Sequence, residues 1–151
     1  MRTVAITIIT CACLIMPVLA RQSQERYETA QPVTKFAKLD IYIDSGSKSL
    51  AAYQFELKTT AGKIKIVGVE GGQHPAFKNP PYYDTAALAK DRIIIAAFST
   101  DKDLPSGRTL IATIHLQIIG DTQPVYQLDL KVSADADGKE IPAKITFDKG
   151  E

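Results

Sequence analysis

Two segments of this chain carry residue types whose spacing can do chemistry. Asp135-Ala136-Asp137-Gly138-Lys139-Glu140 sets carboxylates at alternate positions before a glycine, as a calcium loop does, so that alternate side chains converge on one cation. Ser133 stands where a further upstream carboxylate is needed, and no bidentate Glu closes the loop. An Asp-Gly turn between strands is therefore the plainer reading of Asp135 and Asp137, and the chain is expected to hold no cofactor or metal of its own. The second segment, GGQHPAFKNPPYYD, combines three prolines with Phe77, Tyr82 and Tyr83. Such a loop binds sugar if its rings are exposed for stacking, or caps one end of a core if they are not. His74 lies in the same segment, and His115 alternates with Thr113 and Gln117, the pattern of a surface histidine.

Nothing else in the sequence reads as catalytic machinery. The 2 histidines lie far apart, and neither a Gly-rich phosphate loop nor a nucleophile elbow occurs. A glycosidase needs two carboxylates facing each other across a cleft, whereas Asp and Glu here fall mainly in turns or on polar strand positions. The expectation is a protein that is not an enzyme.

Composition narrows the choice further. The 151 residues, 45% hydrophobic, suit one domain with a sizeable core. A formal net charge of +1, with no block of like charge, offers no field for nucleic acid or an anionic membrane. Arg2, the apolar run Val4 to Met16 and the small-residue site at Val18-Leu19-Ala20 read as a signal peptide over residues 1–20, cut after Ala20. Acylation at Cys11 or Cys13 is the competing reading. Both cysteines fall inside the removed segment, so the mature chain is expected to be extracytoplasmic, secreted or periplasmic, with no disulfide, no thiolate and no membrane span. Residues 21–35 are polar and read as a flexible leader, and residues 36–151 as the folded domain.

The elements that would position these residues are strands. Leu39, Ile41 and Ile43 alternate with Asp40, Tyr42 and Asp44; Tyr53, Phe55 and Leu57 alternate with Gln54, Glu56 and Lys58. Lys63 to Val69 forms a further strand. Over Thr109 to Ile119, Leu110, Ala112, Ile114, Leu116 and Ile118 share one face, and Tyr126, Leu128, Leu130 and Val132 share another further on. Ile145 and Phe147 close the pattern. Ile93 to Phe98 is apolar at every position, so one of its faces meets the core and the other meets either a partner or a covering segment. Seven or more short strands with Gly, Pro, Asp and Ser turns predict an all-β antiparallel sandwich with Greek-key or jelly-roll connections.

From about Ala37 to Phe147 the chain resembles a cohesin domain. The resemblance rests on IDSGSKSLAAYQFELK, KIKIVGVEGG, DTAALAKDRIIIAAFSTD, SGRTLIATIHLQI and SADADGKEIP, which follow one another in the family's order. It implies a jelly roll of about nine strands, related to carbohydrate-binding domains, that takes a dockerin module on one flat face, with calcium carried by the partner. By position, the resemblance implies a partner-binding face at Ala52, Gln54, Ala97 and Ser99; the family often has Asn and Asp where Ala52 and Gln54 stand. On this reading Gln54→Arg or Ala97→Asp leaves the fold intact and disrupts partner capture.

Three functions are open at this point. The first is a secreted cohesin-like receptor for a dockerin-type partner in polysaccharide-degrading or cell-surface assemblies; with a single such domain it would be monovalent. The second is a carbohydrate-binding module using Phe77, Tyr82 and Tyr83 on polysaccharide, a reading weakened by the absence of Trp. The third is a structural subunit of an envelope or secretion assembly.

Overall fold

The structure, a computed structural model, describes residues 33–150. The signal-peptide and acylation readings lie outside these residues, as does most of the proposed leader. The chain runs β1 (Thr34–Asp44), β2 (Ala52–Ala61), β3 (Lys63–Gly71), β4 (Tyr82–Tyr83), β5 (Arg92–Phe98), β6 (Arg108–Ile119), β7 (Val125–Ala134) and β8 (Lys144–Gly150). Single 3-10 turns at Pro75–Phe77 and Thr85–Ala87 are the helical elements among the described residues.

Eight strands are present among the described residues where about nine were expected. After β3 the chain is Pro-rich: Pro75 opens a 3-10 turn, and Pro80 and Pro81 precede a β4 of only two residues. The first strand begins at Thr34, slightly earlier than the expected start at residue 36, because Thr34 pairs with Ile119.

The strands form two four-stranded sheets, β3-β6-β1-β8 and β4-β5-β2-β7, with antiparallel pairing throughout. Period-2 alternation puts one apolar row of each strand between them. Leu39, Ile41, Ile43, Ile66, Ile114 and Leu116 from one sheet and Tyr53, Phe55, Leu57, Ile93 and Ile95 from the other belong to a single buried cluster. Phe77 joins them, meeting the Tyr53 ring edge-on at 5.1 Å. The Tyr53 hydroxyl donates to the Ile111 carbonyl at 3.0 Å, tying one sheet to the other, and its burial pushes the phenol pKa up.

Two register shifts overturn the expected alternation. On β6 Ala112 pairs with Ile41 but Leu110 pairs with Tyr42, so Ile111 is an extra residue. Ile111 is buried as well as Ala112, and Leu110 is carried to the outer side beside Tyr42. On β7 Leu130 pairs with Phe55 but Val132 pairs with Gln54, which makes Lys131 the extra residue and turns Val132 out to solvent. The same devices blunt the sheet edges: β3 and β7, both edge strands, each carry a bulge, β4 is short, and β8 bears Lys144, Asp148 and Lys149.

Candidate binding face

The outer face of the β4-β5-β2-β7 sheet is built by register. One row across all four strands reads Tyr82, Ala96, Gln54, Val132. The row on one side holds Phe98, Ala52 and Ala134, and the row on the other holds Ile94, Glu56 and Asp129. Ala52 and Ala96 therefore make a floor of small side chains between a Tyr82–Phe98 wall and Val132. Tyr82 is 69% exposed and Phe98 64%, with Ile94 and Val132 above 40%. The two rings lie within 10° of parallel, centroids 6.2 Å apart. A single soluble face seldom collects this much exposed apolar surface unless something covers it.

Charge on this face is paired at its lower rows. Arg92 donates to both carboxylate oxygens of Glu56, at 2.6 Å and 3.2 Å, and Lys131 bonds Asp129. The Arg92 hydrogen bond, with the positive charges of Arg92, Lys131 and Lys58, outweighs desolvation and holds the Glu56 carboxyl below its ordinary range. Glu56 and Asp129 sit directly opposite each other, and these two cations relieve that like-charge pairing.

The outer face of the other sheet contrasts with it. Asp40 accepts from Lys38 at 3.0 Å and Thr113 at 2.8 Å, His115 lies 3.2 Å from Glu70, and Arg108 bonds Asp148 at 2.8 Å while stacking over Tyr42. Ion pairs cross those rows, and Phe36, 75% exposed, and Val67 stand beside His115 on the same face.

The residues singled out in the sequence divide between the faces. Ala52 and Gln54 lie on the apolar outer face. Ala97 does not: it pairs with Tyr53 and packs against the core, so the residues of β5 that share a face with Gln54 are Ile94, Ala96 and Phe98. The uniformly apolar run of β5 carries no parity signal of its own, and only pairing with β2 decides which side each residue takes. Ser99 lies past the end of β5, where its N–H donates to Ala51 O and its hydroxyl accepts from Asp101 N, a strand-ending turn.

Of the loop aromatics, Tyr82 is exposed, Tyr83 packs against the core, and Phe77 is buried, so the three do not form one platform. His74 caps the first 3-10 turn by accepting from Ala76 N. His115 stands on the outer sheet face, as the alternation requires. Asp135 Oδ1 accepts from the N–H groups of both Asp137 and Lys139, and Gly138 takes φ +75°, so this carboxylate closes an Asp-Gly turn. Among the described residues no cluster of three or more His, Cys, Asp or Glu could hold a metal ion, and no helix is long and apolar enough to cross a membrane.

Sequence reasoning missed Ala96, Phe98, Ile94 and Val132. The inward residues Ile93 and Ile95 carry the signal for three of them once either is known to be buried; Val132 needed the bulge. A scan against family models finds no match, and searches of curated proteins and of solved structures return no similar protein.

Proposed function

We propose that this chain is a non-catalytic, cohesin-like interaction module, on a jelly-roll sandwich in an extracytoplasmic setting, that receives a dockerin-type protein on the outer face of the β4-β5-β2-β7 sheet. One observation carries the reading: Tyr82, Ile94, Phe98 and Val132 are exposed on that face, around a floor of Ala52 and Ala96, while three ion pairs cross the opposite outer face. Side chains standing on paired strands are already ordered, so a partner docking there loses little further conformational entropy from this side. Gln54, half-buried at the centre of the floor, supplies hydrogen bonds that would set the partner's register.

The test is capture. Immobilised protein is exposed to the proteins secreted by its source organism, with calcium or with a chelator. The expected result is a calcium-dependent partner bearing paired calcium loops, whose retention is lost in Gln54→Arg because the new charge is desolvated without a counterion. Retention that ignores calcium and survives Gln54→Arg would overturn the reading.

A further inference from the structure

A second site lies at the edge of the same sheet. The neighbour of β5 on one side, β2, pairs with all seven of its residues, but β4 on the other side meets only Ile95 and Ala96. Where β4 turns away, a cleft of about 630 Å³ opens beside Arg92 to Ile94. That volume falls within the range of small-ligand sites, roughly 300–1,000 Å³.

The walls have a particular chemistry. Tyr82 and Tyr83 bring aromatic surface, and Asp84, Lys90, Asp91 and Arg92 bring hydrogen-bonding groups. Asp84 and Asp91 stand against Lys90 and Arg92, and Arg92 is already paired with Glu56, so no excess of positive charge is left to attract an acidic ligand. One oxygen of Asp84 caps the second 3-10 turn by accepting from Ala86 N, which fixes the side chain and leaves the other oxygen available. The Tyr82 ring continues into the near-parallel Phe98 ring, extending the apolar surface beyond the cleft.

The far wall is held rigidly. Ala89 has φ +64°, a left-handed conformation that costs a residue with a Cβ. It is kept there by the bonds Ala89 N to Ile66 O at 2.7 Å and Ile66 N to Lys90 O at 3.1 Å, which tie the loop to β3. Thr59 N donates to Asp91 O at 2.9 Å on the other side. The backbone that carries Lys90 and Asp91 is thus fixed at the cleft, with both side chains exposed beside it.

We propose that this cleft binds a neutral oligosaccharide. Sugar rings present apolar C–H faces that stack on aromatic rings, and hydroxyl groups that both donate and accept. The Tyr82 ring answers the first, and the interleaved carboxylates and cations answer the second. The cleft shares Tyr82, Ile94 and Ala96 with the proposed docking face, so Gln54, which lies outside the cleft, and Asp91, which lies in it, are the positions that tell the two readings apart.

The experiment is an NMR titration of the protein with cellohexaose, xylohexaose and mannohexaose, with hexagalacturonate as the acidic comparison. Expected is saturable movement of the Tyr82 and Phe98 resonances with at least one neutral hexamer, weakened tenfold or more by Tyr82→Ala and by Asp91→Ala. Tyr82→Phe should retain most of the affinity, and Gln54→Arg all of it. Thermal midpoints of the variants confirm that they fold. No saturation with any neutral hexamer at millimolar concentration, equal affinity for the acidic hexamer, or binding untouched by both cleft substitutions would overturn the proposal. Loss of protein capture in Gln54→Arg with sugar binding intact separates the two sites.

Discussion

At the scale of single residues, the buried aromatics and small side chains of β2 and β5 are the most sensitive positions. Phe55 is fully buried and stacks 6.0 Å from Tyr53, so Phe55→Ala should cost about 3–5 kcal/mol in urea denaturation. Ala97 gives the sharper test of orientation. Because it faces the core beside Tyr53, Ala97→Asp should yield little folded protein, whereas Ala96→Asp on the outer face should fold with a near-normal thermal midpoint. Asp40 predicts a pH effect. Burial alone would raise its pKa, but the bonds from Lys38 and Thr113 and the charges of Lys38 and His115 outweigh burial and hold it below the ordinary 3.8. A lowered folded-state pKa gives stability that is complete above the unfolded value and is lost as pH falls through the folded one. Thermal midpoints should therefore drop below about pH 4, and Asp40→Asn should flatten that part of the profile.

At the scale of elements, bulges and one strained loop matter more than strand propensity. Ile111 and Lys131 are single extra residues, yet each reverses the side of the sheet on which Leu110 or Val132 emerges. The Pro-rich connection after β3 passes so close to β6 that a Cβ on Gly72 would lie 2.0 Å from Leu110 O. Gly72→Ala must push one backbone off the other and should cost about 1–3 kcal/mol, read as a lowered denaturation midpoint with an unchanged m-value. Ala89→Gly works in the opposite direction. It relieves a left-handed conformation costing about 1–2 kcal/mol and returns part of that as chain entropy, so a small rise in thermal midpoint is expected.

At the scale of the whole molecule, the two outer faces differ in what they would do on association. The β3-β6-β1-β8 face is crossed by Lys38–Asp40, His115–Glu70 and Arg108–Asp148 pairs, which would be desolvated by any partner. On the β4-β5-β2-β7 face the two rows through Ala52 and Gln54 are uncharged, so burial of those rows releases apolar surface at little electrostatic cost. Partner capture through this face should consequently change little between 0.1 and ~0.5 M salt, a range over which screening shortens to a few ångströms. Surface plasmon resonance at the two salt concentrations checks this, and a steep loss of affinity would place the contact on the ionic face instead.

Much of the architecture was legible from alternation alone. Leu39, Ile41 and Ile43, then Tyr53, Phe55 and Leu57, are buried as their spacing requires, because a residue's side of a pleated strand follows from its parity once one face is dry. The turns were legible where Asp or Gly chemistry dictated them, as at Asp135 and Gly138. Of the candidate site, Gln54 and Ala52 could be placed outside by parity, the loop aromatics Phe77, Tyr82 and Tyr83 were left between core and surface, and Ala97 was placed on the wrong face. An apolar run such as Ile93 to Phe98 has no internal contrast, so nothing within it distinguishes core from surface. Which of its residues share a face with Gln54 is a property of pairing between β2 and β5, and the side taken by Val132 depends on one extra residue inserted opposite β2. Local sequence determined that these segments are strands with one apolar edge. Cross-strand register, a long-range relation that only the folded chain possesses, decided which side chains meet solvent together.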